Sequence, residues 1–206
     1  IFESMKIGIC IDGQEDFPGM QATIARLMDE RIKGKKREAD DPVIPVSIGL
    51  PDGILSSGST KSLPIGDFWY IDMDTKRVLR IDEHKQPSDL QSSLFNGHLD
   101  EQLARMRCRD AVPDDVEQLA LVLTGDHGPL DDNVRKMVTT RCLKMAQGSN
   151  PIQLVRLQSP LELAHYMKKT AEYLREAPVR DSPRGALIEE IVISARKRRL
   201  CVADRY

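Results

Sequence analysis

The chain has few of the features that mark membrane, secreted or fibrous proteins. Only 4% of its 206 residues are aromatic, and it contains no long apolar run. A membrane span needs roughly 18–20 consecutive apolar residues, so we expect none here. A basic start followed by an apolar segment and a small-residue cleavage site is also missing, and we therefore expect no signal peptide.

Cysteine is scarce, and its copies are scattered along the chain. Cys10, Cys108, Cys142 and Cys201 form no CxxC pair and have no histidine at the spacing of a zinc site. This predicts reduced thiols in the cytoplasm rather than disulfides or structural zinc. Neither positive nor negative charge predominates strongly, because the net charge is −2 at pH 7. That balance argues against a wholly basic nucleic-acid binder and leaves local basic patches open.

What remains is the composition of a globular protein, with 40% hydrophobic and 30% charged residues. A chain of this length suits one domain, so we assign residues 1–206 to a single domain. Short apolar runs alternate with segments in which apolar residues recur every three or four positions, which predicts an α/β fold with a mainly parallel sheet. The predicted strands lie in 6–11, 42–53, 118–125 and 151–158, and the predicted helices lie in 19–32, 129–148, 159–177 and 185–199.

The middle of the chain departs from this alternation. In "DFWYIDMDTKRVLRIDE" two apolar runs flank Asp74-Thr75-Lys76, which predicts an inserted β-hairpin. Residues 82–96 are mostly polar and are predicted to be irregular. A further helix is predicted to begin near His98, with its apolar residues on one face.

Acidic residues stand where two of the predicted strands end. Asp12 follows the first strand, and Asp126 follows the strand at 118–125. Ligands of open parallel sheets bind at the carboxyl ends of the strands, so both carboxylates share one crevice if these strands are neighbours. Asp100, at the start of a predicted helix, can project toward the same edge. Three converging acids repel each other unless a divalent cation lies between them, and this predicts a metal-dependent nuclease.

Four stretches carry a resemblance to a known family. They read "IGICIDGQEDFPGMQATIARLMDERIKGKKREA", "VIPVSIG", "LDEQLARMRCRDA", and "LALVLTGDHGPL" running on through "IQLVRLQSPLELAHYMKKTAEYL". These stretches resemble the NYN domains, which are PIN-like ribonucleases. The likeness implies a PIN-like Rossmannoid fold, with a mainly parallel central sheet flanked by helices. Residues 51–96, with the hairpin, and 177–206, with an extra C-terminal helix, have no counterpart in the family and are interpreted as an insertion and an extension.

The resemblance also implies an activity and its site. Acids of the NYN family match Asp12, Asp100 and Asp126, which would bind Mg²⁺ or Mn²⁺ and activate water to cut single-stranded RNA internally. The implied role is mRNA decay in the cytoplasm. Many members carry another acid at the end of the second strand, where this chain has Ser47. An inactive NYN-like module that binds RNA or a protein partner is therefore the alternative.

Two basic clusters are candidates for phosphate contacts. The first lies within the NYN-like stretch, and we expect its side chains to bind RNA: Lys33, Lys35, Lys36 and Arg37. The second, Arg196–Arg199, would serve equally as a sorting signal or as a charge complement at the end of a helix. Further partners would be proteins or additional RNA-binding domains.

Other motifs are weaker. Asp72-x-Asp74 resembles the paired acids of haloacid-dehalogenase phosphatases and glycosyltransferases, although a hairpin turn is the favoured interpretation. Asp67 and Asp74 mimic the two acids of a PD-(D/E)xK nuclease but lie too close together for the usual geometry of that motif. A von Willebrand A-like interaction domain would share the strand alternation. It expects Asp-x-Ser-x-Ser where this chain has Asp-Gly-Gln-Glu-Asp.

Overall fold

The computed structural model describes residues 5–15, 44–55, 61–108, 112–113, 115–125, 132–147, 150–176 and 184–203. The strands in this part of the chain are β1 (Ile7–Ile11), β2 (Val46–Ile48), β3 (Phe68–Asp72), β4 (Arg77–Lys85), β5 (Gln118–Thr124), β6 (Ile152–Leu157) and β7 (Ala186–Leu187). The helices are α1 (Pro87–Phe95), α2 (His98–Met106), α3 (Asp132–Ala146), α4 (Pro160–Glu176) and α5 (Ile188–Ala203). The helix predicted from the periodicity of 19–32 lies outside the described residues.

The described strands form one mixed sheet in the order β2-β1-β3-β4-β5-β6, with β7 paired to β4. The pairs β1–β2, β4–β5 and β5–β6 are parallel, whereas β1–β3, β3–β4 and β4–β7 are antiparallel. The predicted α/β fold with flanking helices is confirmed. The sheet is mixed rather than mainly parallel because the hairpin contributes two strands to its centre.

The position of the hairpin corrects a second expectation. β3 and β4 lie between β1 and β5, so the strands that precede Asp12 and Asp126 are not neighbours. Every residue of β3 is buried, and so is every residue of β4 after Arg77. Strands covered on both faces belong in the middle of a sheet, and this is where β3 and β4 lie.

Several predicted element boundaries agree with the structure. α2 begins at His98, as the sequence predicts. Ser159 precedes α4, and its hydroxyl accepts a hydrogen bond from the backbone N–H of Glu162 at 3.2 Å, as an N-cap residue does. The prediction of irregular structure in 82–96 is wrong, because β4 continues to Lys85 and Pro87 starts α1.

The core has two halves, one on each face of the sheet. On the first face, called the α1–α3 face, Cys10, Trp69 and Ile81 belong to a cluster that includes residues of α1, α2, α3 and α5. On the second face, called the α4 face, Phe68 and Val122 belong to a cluster that includes apolar residues of α4. Among the described residues, no helix has both the length and the apolar character needed to cross a membrane.

Candidate active site

The ends of three strands bring three carboxylates into one row, called the acid row: Asp12, Asp67 and Glu83. Asp12 directly follows β1, Asp67 directly precedes β3, and Glu83 lies near the end of β4. The backbone N–H of Asp12 donates to the carbonyl of Asp67 at 2.8 Å, so these two residues stand side by side. Phe68 pairs with Asp82 in the β3–β4 ladder, which sets Asp67 opposite Glu83 one step further along.

The acid row lies on the α1–α3 face because side chains alternate along a strand. Each of its members stands two positions from a core residue of that face, namely Cys10, Trp69 and Ile81. Lys85 follows Glu83 by two positions and therefore lies on the same face. The result is three acids and one amine at the edge where β1 and β4 end and β3 begins.

Lys85 is held as a cation within this group. Its Nζ donates to Oε1 of Glu83 at 2.7 Å and to the carbonyl of His84 at 3.1 Å. Burial lowers the pKa of Lys85, but the charges of Glu83, Asp67 and Glu15 more than offset this and hold that pKa above its usual value. The amine therefore stays protonated at neutral pH and cannot act as a general base.

Two carboxyl groups of the acid row have raised pKa values. Burial raises the pKa of Asp67 well above its usual value, and the charges of Glu83 and Glu15 raise it further, while Lys85 opposes the shift. Burial also raises the pKa of Asp12, against a hydrogen bond of 3.0 Å from the backbone N–H of Gln14 to its Oδ1. The row therefore has three carboxyl groups and one amine, and a further cation would favour the ionised form of these carboxyls.

Two glycines allow the backbone to approach closely beside the row. Gly66 has φ of 70°, and a Cβ there would lie 2.5 Å from Cγ2 of Ile81. A Cβ on Gly13 would lie 2.4 Å from the carbonyl oxygen of Lys61, to which the Gly13 N–H donates at 2.7 Å. Any side chain at either position would push apart the segments that carry Asp67 and Asp12.

The site residues predicted from the sequence do not all lie together in the structure. Asp12 belongs to the acid row. Asp100 lies in the first turn of α2 with a half-exposed side chain, and Arg141 of α3 binds it through two hydrogen bonds of 2.8 and 2.5 Å. The described contacts of Asp100 thus join it to α3 and not to the row. Asp126 and the predicted RNA-binding residues of 33–37 lie outside the described residues.

Ser47 is the residue at which the NYN resemblance leads us to expect an acid. It pairs with Cys10 across the β1–β2 ladder, and its hydroxyl donates to the carbonyl of Gly49 at 3.0 Å. Burial raises the pKa of the Cys10 thiol to about 11, so this sulfur is not a thiolate nucleophile at neutral pH. The end of β2 therefore contributes neither an acid nor a reactive thiol at these two positions.

Asp67, Glu83 and Lys85 were not predicted as a set from the sequence. The motif considered there pairs Asp67 with Asp74, but Asp74 lies in the hairpin turn, where its backbone N–H donates to Oδ1 of Asp72 at 3.0 Å. The available signal was the Glu-x-Lys spacing at the end of the second hairpin strand. Residues two apart in a strand share a face, and the hairpin returns that face to Asp67.

The acid row could supply some, but not all, of the ligands of a divalent metal ion. Within the described residues, no group of three or more His, Cys, Asp or Glu side chains is arranged to ligate a metal ion. Mg²⁺ is commonly held by only one or two carboxylates, together with water and substrate phosphate oxygens. Asp67 and Glu83 could meet that requirement, with Lys85 as the one cation already beside them.

Comparison with known proteins supports the fold. No protein-family model matches the chain, and no curated protein matches it. A solved structure of XPF from Aeropyrum pernix is similar over 82% of this chain, with a TM-score of 0.50 and 20% identity. The chain spans 65% of the length of that structure. A second structure, XPF from Aeropyrum pernix in complex with DNA, has a TM-score of 0.47 and 18% identity, over 83% of this chain and 68% of that one. At these identities the likeness shows the fold alone.

Proposed function

We propose that this protein is a metal-dependent nuclease that hydrolyses phosphodiester bonds at the acid row. The observation that carries the proposal is the convergence of Asp67, Glu83 and Lys85 on one face, with Asp12 beside them. In chain order these residues follow the PD-(D/E)xK motif, with Glu83 rather than Asp74 as its second acid. Asp67 and Asp74 lie too close together in the chain for this motif, whereas Glu83 lies further along the chain and the hairpin register sets it opposite Asp67.

Each residue has a role that follows from its surroundings. Asp67 and Glu83 would hold Mg²⁺ or Mn²⁺, which, when bound, polarises a phosphoryl oxygen and acidifies bound water. Lys85 stays protonated because of the surrounding carboxylates, so its amine would stabilise negative charge that develops on the phosphate. Asp12 adds negative charge beside Asp67 and is held in place by the backbone N–H of Gln14.

The acid row acts on a bond that RNA and DNA share. Single-stranded RNA cut internally, in the context of cytoplasmic mRNA decay, is the substrate that the NYN resemblance implies. That expectation depends on Asp100, whose described contacts are with Arg141, and on Asp126 and the basic residues of 33–37, which lie outside the described residues. We therefore place nuclease activity first and let the experiment choose between the nucleic acids.

The test is a cleavage assay on labelled single-stranded and duplex RNA and DNA, with Mg²⁺, Mn²⁺ or EDTA. We expect cleavage that requires metal, and we expect Asp67→Asn to lower its rate at least about 100-fold. Asp74→Asn is the matched control, since the same substitution is made in the exposed hairpin turn. Binding without cleavage would indicate the inactive module instead. Equal rates for wild type and Asp67→Asn would overturn the assignment of the acid row.

Asp100→Asn separates the acid row from the site that the NYN resemblance implies. If the acid row is the complete set of acids, this variant cleaves as Asp74→Asn does. A loss as large as that of Asp67→Asn would instead place Asp100 among the functional acids. The carboxylate of Asp100 would then have to leave Arg141, which now binds both of its oxygens.

A further inference from the structure

His84 lies between Glu83 and Lys85, but its side chain points to the opposite face of β4. The ring is buried, with its centroid 5.5 Å from that of the Phe68 ring. Its Nδ1 lies 2.5 Å from Oε1 of Glu15, and its Nε2 lies 2.6 Å from Oγ1 of Thr124. Both ring nitrogens therefore have polar partners, and these partners come from different segments of the chain.

The backbone of His84 makes a third connection. Its N–H donates to Oδ2 of Asp67 at 2.7 Å, so the same residue holds a carboxylate of the acid row. One histidine thus joins the loop after β1, the start of β3 and the end of β5. The first two of these segments carry or flank acids of the row, since the loop after β1 begins at Asp12 and Asp67 precedes β3.

We propose that His84 is a positioning residue of the candidate site, which fixes Glu15 and Asp67 relative to each other. This inference rests on the proposed function, because positioning matters only if the acids act together. Glu15 is half-buried, and its charge acts on Asp12, Asp67 and Lys85, so its location changes the potential at the row. A bond from a buried ring holds this charge at a defined position before any ligand binds.

Glu15, His84 and Thr124 could alternatively form a hydrolytic triad, because their acid, imidazole and hydroxyl groups are hydrogen-bonded in that order. Thr124 is only 5% exposed, and its hydroxyl is directed at the buried ring of His84. A substrate cannot reach that oxygen without opening the core. The network is therefore structural support for the row and not a second catalytic centre.

Two substitutions of His84 test the hydrogen bonds of Nδ1 and Nε2 separately. His84→Asn keeps a nitrogen near the position of Nδ1 and so retains a donor for Glu15. His84→Gln places its amide near the position of Nε2 and loses Glu15. We expect His84→Gln to weaken Mn²⁺ binding about tenfold and to lower kcat with little change in KM, as loss of a residue that orients metal ligands does. The Mn²⁺ affinity and the kcat of His84→Asn should stay within about threefold of the wild-type values.

Glu15→Ala provides a second test that does not require a change in the core. It should reproduce the loss in Mn²⁺ affinity of His84→Gln, and the double variant should lose no more than either single one. Tyr166→Phe is the control for stability. It removes a hydroxyl bound to Arg80 and Asp82 on the α4 face, and it should lower the melting temperature without changing Mn²⁺ affinity.

The measurements are the Mn²⁺ dissociation constant from electron paramagnetic resonance, kcat and KM, and the melting temperature. Equal Mn²⁺ affinities for His84→Asn and His84→Gln, or additive losses in the double variant, would overturn the positioning role. If wild type binds Mn²⁺ but cleaves nothing, the nuclease proposal fails while the Mn²⁺ affinities still decide the role of His84. If wild type cleaves and every variant matches it, the role fails and the nuclease proposal stands. A wild type that binds no Mn²⁺ overturns both metal dependence and this inference.

Discussion

Strand β4 carries buried charges on both of its faces, and the two sets differ in balance. On the α4 face, Arg80 and Asp82 form an ion pair, with Nε and Oδ1 separated by 2.7 Å. On the α1–α3 face, Glu83 and Lys85 form a pair of the same length, but the carboxylates of Asp12 and Asp67 lie beside it. The first set is closed, whereas the second has an excess of negative charge.

The closed set satisfies its hydrogen-bonding groups internally. Arg80 also donates to Oε1 of Gln118 at 2.5 Å and to Oε1 of Gln153 at 3.2 Å. The hydroxyl of Tyr166 contacts both Arg80 and Asp82, at 2.5 and 3.0 Å. One cation therefore faces one anion, with neutral partners around them.

The difference shows that buried charge alone does not identify a functional site. A satisfied ion pair fixes the packing of strands and helix, whereas an unbalanced cluster gains free energy when a cation binds. The comparison leads to opposite expectations for the two faces. Substitutions in the closed set should chiefly change stability, and substitutions in the acid row should change activity.

The largest expected effect on stability is that of Arg80→Met. This substitution leaves the carboxylate of Asp82 buried without its cation, which costs about 3–5 kcal/mol. The melting temperature should fall by about 6–20 °C, and cleavage measured well below that temperature should persist. A loss of less than about 1 kcal/mol in chemical denaturation would show that the pair is not the closed network described here.

Lys85→Met is expected to have the largest effect on activity. In the proposed mechanism the amine stabilises developing charge, and loss of one such group commonly lowers kcat by about 100–1000-fold. Single-turnover cleavage at saturating substrate measures this step, with Lys169→Met, an exposed lysine of α4 on the opposite face of the sheet, as the control. If Lys85→Met and Lys169→Met cleave at the same rate, Lys85 has no role in the chemistry.

Asp67→Asn should increase stability while lowering activity. Because the native pKa of Asp67 is raised, the native state binds its proton more tightly than the unfolded chain does. The stability from this group is present below about pH 3.9, the usual Asp pKa, and is lost as the pH rises through the raised native value. Asn does not titrate, so the variant avoids that loss. Its melting temperature should exceed that of wild type, and the difference should grow above about pH 4. Each kcal/mol of difference in the free energy of unfolding corresponds to about 2–4 °C. A margin independent of pH would contradict the assigned shift.

Asp100→Ala should have the smallest effect on stability. Its half-exposed pair with Arg141 resembles a surface salt bridge, which contributes about 0–1 kcal/mol. Thermal denaturation at low and high salt measures the difference, which should shrink as salt is added. A loss of several kcal/mol would show that Asp100 is bound more tightly than its exposure indicates.

Local sequence patterns predicted much of the fold but little of the site. Alternation and capping placed β5, β6 and α4, because the residues that define them lie close together in the chain. The sheet order depended on contacts between distant segments, such as the pairing of β3 with β1. Glu83 and Lys85 were missed for the same reason, since only the hairpin register brings them beside Asp67. Asp12 was identified because a strand end is a local signal.

The central claim is that Asp67 and Glu83 form a cation site. Its most direct test is the anomalous difference map of crystals grown with Mn²⁺. We predict a peak within coordination distance of carboxylate oxygens of both residues, which disappears in Asp67→Asn crystals. A peak bound by Asp100 and remote from Asp67 and Glu83, or no peak on the acid row at saturating Mn²⁺, would contradict the claim.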